Sequence, residues 1–133
     1  MKTNVIAAVI ASGLLACSGA HALTADQHKA AKAKIEADYN SQKVQCDTLK
    51  ANAKDVCEEE AEAKEKIARA ELEQQYKPSP VHARKVAEAK AEGAHDVAKE
   101  KCDDQTGDAK NACEKQAKAD YDKAKADIKA TKF

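Results

Sequence analysis

The chain has 133 residues, balances 23 Lys and Arg against 23 Asp and Glu, and has only 3% aromatic residues and no Trp. A nucleic-acid binder would carry a strong basic excess, and a polybasic membrane arm a block of one sign. Both are excluded, and Ala, Lys and Glu, among the best helix formers, dominate what remains.

Met1 to Ala22 reads as an export signal. Lys2 supplies the positive start, Val5 to Ala16 a short apolar core, and Ala20-His21-Ala22 an A-x-A cleavage site before Leu23. The apolar run falls short of the roughly 20 residues a spanning helix needs. A competing reading takes Leu14-Leu15-Ala16-Cys17 as a lipobox, with Cys17 the lipidated first residue of an outer-membrane anchor. Removing Lys2 leaves 22 basic against 23 acidic residues, so the mature chain is at minus one. No transmembrane span follows the signal.

A first helix is expected from about Asp26 to Lys50, with Ile35, Tyr39, Cys46 and Leu49 in one narrow stripe and Gln42 filling the gap. A second is expected from about Ala53 to Gln75, with Val56, Ala63, Ile67 and Ala70 on one side. Ion pairs such as Glu60–Lys64 and Glu62–Lys66 would contribute a few tenths of a kcal/mol each. Pro78 and Pro80 then break the chain, since neither continues a helix and both hold the segment extended. A third helix is expected from about Val81 to Asp104, carrying Val86, Ala89, Gly93 and Val97. The fourth would run from about Ala109 to Lys129, with Tyr121 and Ile128.

One stretch occurs twice. Cys46 to Cys57 reads CDTLKANAKDVC and Cys102 to Cys113 reads CDDQTGDAKNAC, each with ten residues between cysteines. The midpoints, Ala51/Asn52 and Gly107/Asp108, suit a helix–helix turn. Gly107 would take the left-handed position past a helix end, and Asn52 and Asp108 would serve as N-caps. The two cysteines of each copy then sit level on antiparallel helices, and Cys46–Cys57 and Cys102–Cys113 disulfides clip two hairpins. The rival is one unbroken helix through each motif, with cysteines roughly 16 Å apart on one face and able to bond only to a second chain. Gly107 opposes it, at about 1 kcal/mol inside a helix.

A shift of 56 residues superposes the two cysteine pairs, Lys34-x-Glu36 on Lys90-x-Glu92, Asp47 on Asp103 and Glu58 on Glu114. This marks a duplicated hairpin. The expected architecture is therefore all-α: a signal peptide at 1–22, hairpin 1 at 23–77, a proline linker at 78–80 and hairpin 2 at 81–133. Only 15 Val, Ile, Leu, Tyr and Phe residues follow the signal. Against backbone ordering of about 1–2 kcal/mol per residue, so thin a core fits two extended or loosely bundled hairpins, or a homodimer, as well as a closed bundle.

Four cysteines in an exported chain of this size read as a disulfide framework. Zinc sites favour tight C-x2-C pairs, redox catalysis C-x-x-C, and neither pattern is present. No cofactor or metal is expected. His28, His82 and His95 read as surface histidines, although His28 and His82 near the repeat starts suggest a pH- or metal-sensitive pair. With no phosphate loop, nucleophile elbow or catalytic triad signature, the sequence predicts no enzyme.

On these motifs the chain resembles a group of small exported, Ala/Lys-rich proteins of Gram-negative bacteria that carry paired C-D-x-x-x-G-x-A-K-x-x-C hairpins. Cys46, Cys57, Cys102 and Cys113 are the specific part of the resemblance, and Ala51 departs from its glycine. In composition the chain is also similar to the long helical segment of the envelope protein TolA. The mitochondrial twin C-x9-C proteins are an analogy only, with spacing one residue shorter. The resemblance implies a periplasmic structural or interaction protein with a protein or envelope partner. A stress-type holdase chaperone using the stripe of Ile35, Tyr39 and Ile67 is the alternative, and metal buffering a remote one.

Overall fold

The computed structural model describes residues 23–133, so the expected signal peptide and Cys17 lie outside the described residues. Those residues form four helices: α1 (Ala25–Cys46), α2 (Asn52–Tyr76), α3 (Pro80–Cys102) and α4 (Gly107–Ala130). α1 starts with a capping box: the Thr24 hydroxyl accepts from the Gln27 amide at 3.2 Å, and the Thr24 amide donates to the Gln27 side chain at 2.9 Å. At α3, the Ser79 hydroxyl accepts from the His82 amide, and Pro80 fills the first helical position, where its missing N–H costs nothing. Pro80 therefore belongs to the helix rather than to the linker.

Disulfides join Cys46 to Cys57 and Cys102 to Cys113, with Cα separations of 5.5 and 5.6 Å. The chain is thus two clipped helical hairpins, and the continuous-helix rival is overturned. The hairpins do not splay from the prolines. Among the described residues, α2 packs along α3 in the most extensive helix–helix contact, while α1 touches only α2 and α4 only α3. The described helices form an open antiparallel row, with α2 and α3 central and α1 and α4 as edges.

The seam between α2 and α3 is built on small side chains. Ala63 of α2 and Gly93 of α3 are both buried there, whereas the buried Ala61 and Leu72 lie about half a turn around α2 from Ala63. A Cβ placed on Gly93 would lie 2.8 Å from the Ala63 Cβ, so glycine is what allows the two backbones to approach this closely. Pairs across the seam tie it further: Lys90–Glu71 at 2.6 Å, Lys101–Glu60 at 2.8 Å and Lys66–Glu92 at 3.8 Å. Glu60 and Lys66 thus pair between hairpins rather than along α2, because the opposite helix presents its charges at the same height. Leu49 falls beyond the end of α1 and is 41% exposed, so it leaves the expected stripe.

Candidate functional site

The feature that sets this chain apart chemically is the pair of clipped tips. In each, the first cysteine is the last residue of its helix and is fully buried. The second lies in the second turn of the next helix. The turn is therefore off-centre, crowded toward Cys46 and Cys102, and the cysteines are not equidistant from it. The chain leaves each helix through tight carbonyl contacts: the Leu49 amide donates to the Cys46 carbonyl at 2.9 Å, and Gln105 to Cys102 at 3.0 Å. It then reverses through a residue with positive φ, Ala51 at +51° and Gly107 at +58°.

This off-centre turn corrects the expected caps. Neither Asn52 nor Asp108 is an N-cap; those positions fall on Ala51 and Thr106, and neither makes a side-chain cap bond. Asn52 is the first helical residue, and its side-chain amide donates to the Glu100 carbonyl of α3 at 3.0 Å, tying the hairpins together. Asp108 lies in the first turn of α4, where a negative charge suits the helix N-terminus. Gly107 begins α4 rather than following α3.

The repeated Ala-Lys step acquires a role. Lys54 reaches Asp47 at 2.8 Å and Glu58 at 3.8 Å, and Lys110 reaches Asp103 at 2.9 Å and Glu114 at 3.9 Å. Each lysine bridges the turn just outside the disulfide. Asp47 is held below its usual range by the hydrogen bond and charge of Lys54, and Lys54 is raised in return. Lys110 is raised by Asp103 in the same way. The shared residues outside the cysteines could have revealed this, since a Lys seven residues after an Asp faces it once a turn intervenes.

The open ends of the hairpins are also matched. His28 of α1 stacks on Tyr76 of α2, with ring centroids 4.2 Å apart, and its Nε2 donates to Glu73 at 2.8 Å. The 56-residue shift carries His28 onto Arg84, which lies over the Phe133 ring at 5.1 Å. His82, near Glu73, donates from Nδ1 to the Lys77 carbonyl at 2.7 Å. His28 and His82 thus share one end of the molecule. His95 stands apart, stacked on Tyr121 and in contact with Asp96. Among the described residues no three His, Cys, Asp or Glu side chains are placed to hold a metal ion.

Ile35 and Tyr39 lie in the α1–α2 groove with Lys64 and Glu65, half-buried. Ile67, equally half-buried, faces the seam near Gly93. A second groove of about 320 Å³ between α3 and α4 is lined by Arg84, Glu88, Tyr121, Lys125 and Ile128. Both grooves mix charge with apolar surface and are open to solvent. No described helix is long and apolar enough to cross a membrane. Compared with family models, curated proteins and solved structures, the chain matches none.

Proposed function

We propose that this is a non-catalytic protein of the periplasm, exported by its N-terminal signal, whose double hairpin serves as a binding or spacer surface of the cell envelope. The observation that carries this reading is the duplicated clip. Two disulfides of the same span, each backed by the same lysine bridge, hold the long charged helices in pairs, and the α2–α3 seam sets the pairs side by side. Such a framework belongs to an oxidising compartment, and it rigidifies a surface rather than assembling reactive groups. Attachment to the outer membrane through Cys17 is the alternative form of the same proposal.

The test combines location with contact. Peptide mass mapping of non-reduced protein from the periplasmic fraction should give a start at Leu23 and the two linked cysteine pairs. Photo-crosslinkers at the exposed Val44, Leu49 and Val81 should then give one discrete envelope adduct. Recovery from the cytosol with free thiols would overturn the proposal, and a lipid on Cys17 would select its anchored form.

Exposure of Val44, Leu49 and Val81 also supports a second reading, a holdase that shields apolar segments of unfolded clients. Ile35, Tyr39 and Ile67 would join that surface only when the helices part. Suppression of client aggregation that is lost when these three become polar would favour the holdase. No suppression by the parent chain would dismiss it, and suppression that survives the substitutions would remove these three residues from the client surface.

A further inference from the structure

The duplication places every residue of the α2–α3 seam in correspondence with an outer face. α3 of the second hairpin repeats α1 of the first, so the face with which α3 meets α2 recurs on the outside of α1. In the same way, the face with which α2 meets α3 recurs on the outside of α4. An open row of repeats with matching ends would add a second copy at either edge and continue as a filament.

We propose that the outer faces of α1 and α4 are end-caps of a two-repeat array, altered at the seam positions so that a second copy of the chain does not dock there. Four replacements carry this. Gly93, whose missing Cβ admits Ala63, becomes Ala37 on α1, while Ala63 becomes Ala119 on α4. Repeating the seam would drive these two Cβ atoms to the same 2.8 Å approach. Ile67, which lies against Gly93, becomes Lys123, an exposed lysine held by Asp127 on its own helix. Docking would strip water from that charge against apolar surface.

The seam pair of Lys66 with Glu92 becomes Asp122 facing Glu36, an attraction turned into a repulsion. Asn52, which donates to the Glu100 carbonyl, becomes Asp108, whose carboxylate has no proton to donate there. Of the favourable ionic seam contacts, only Glu71–Lys90 keeps its sense, as Asp127–Lys34. Packing, desolvation, charge and hydrogen bonding all oppose a further copy.

The test restores the seam residues to one edge each in the full disulfide-bonded chain: Ala37→Gly on α1, with Asp122→Lys and Lys123→Ile on α4. Sedimentation of the parent should give a single monomer mass at all concentrations. The triple variant, with helix content unchanged by circular dichroism, should show mass rising with concentration in whole-chain steps. The reciprocal variant, Gly93→Ala with Ile67→Lys, gives a second reading within one chain. It should part α2 from α3, seen as loss of crosslinking between them, while both disulfides persist. Association of the parent through α1 and α4, a folded triple variant that stays monomeric, or a reciprocal variant with its seam intact would each overturn the proposal.

Discussion

Ala51 holds φ +51° and ψ −149°, a backbone region that costs a residue with a Cβ about 1–3 kcal/mol. Its repeat counterpart is Gly107, at φ +58°, around which an added Cβ would meet nothing within 4 Å. Conformation, not space, therefore decides both positions. Glycine also adds about 0.4–1 kcal/mol of unfolded-state entropy, which offsets part of the relief but not all of it. Ala51→Gly should stabilise the protein by roughly 1 kcal/mol, and Gly107→Ala should destabilise it by a similar amount. Urea unfolding of both variants checks this, with opposite shifts in midpoint and unchanged slope. At this scale the sequence pointed to the right pair of positions. It missed which side of the turn they occupy, because nothing in the spacing told where α1 unwinds.

At the scale of helices, the disulfides and the seam divide the work. Among the described helices α1 and α4 each have one neighbour, and each is held to it by one clip. A disulfide closing so short a loop contributes roughly 3 kcal/mol by constraining the unfolded chain. Reduction should therefore release the edges before the centre. Hydrogen exchange on the reduced protein should show α1 and α4 amides losing protection first, with α2 and α3 following. Simultaneous loss in all four helices would show that the clips hold the whole row rather than its edges.

The seam has its own probe. Gly93→Ala gains about 1 kcal/mol of helix propensity, but its Cβ must displace Ala63 from a 2.8 Å approach. Overpacking of this kind costs about 1–3 kcal/mol. The net expectation is a loss of up to about 2 kcal/mol, measurable as a lower thermal midpoint. The helices themselves were legible because alanine, lysine and glutamate fill them and the prolines separate them. The buried positions Ala61 and Leu72 were not. In an alanine-rich helix the apolar stripe carries little contrast, and only the partner helix decides which alanines are covered.

Across the described residues, ion pairs run along and between the helices, and this gives the stability a direction with pH. Asp47 is lowered by Lys54, Glu60 by the Lys101 hydrogen bond, Glu73 by the His28 hydrogen bond, and Asp122 by the Lys118 hydrogen bond. A carboxylate whose folded pKa is depressed contributes stability that is present above its unfolded pKa and lost as pH falls through the folded one. Glu59 has the opposite sense. Burial first, then the charges of Glu62 and Asp96, raise it. Its contribution is full below the unfolded pKa and fades as pH rises through the folded value.

Four groups favour the ionised form and one the neutral form, so acidification below about pH 4 should lower the thermal midpoint. Lys54, Lys110 and Lys123 are raised by their aspartates. Their contribution is complete below the unfolded lysine pKa and disappears as pH rises through the folded values, above about 10.4. Stability should thus show a plateau bounded on both sides. Because these pairs are exposed, salt should flatten both flanks. Thermal melts across this range at low and at high salt make the measurement. Glu59→Gln removes the opposing group, so it should raise the midpoint at neutral pH while the acid flank stays steep. A midpoint unchanged at neutral pH would show that solvent already relieves the crowding of carboxylates around Glu59.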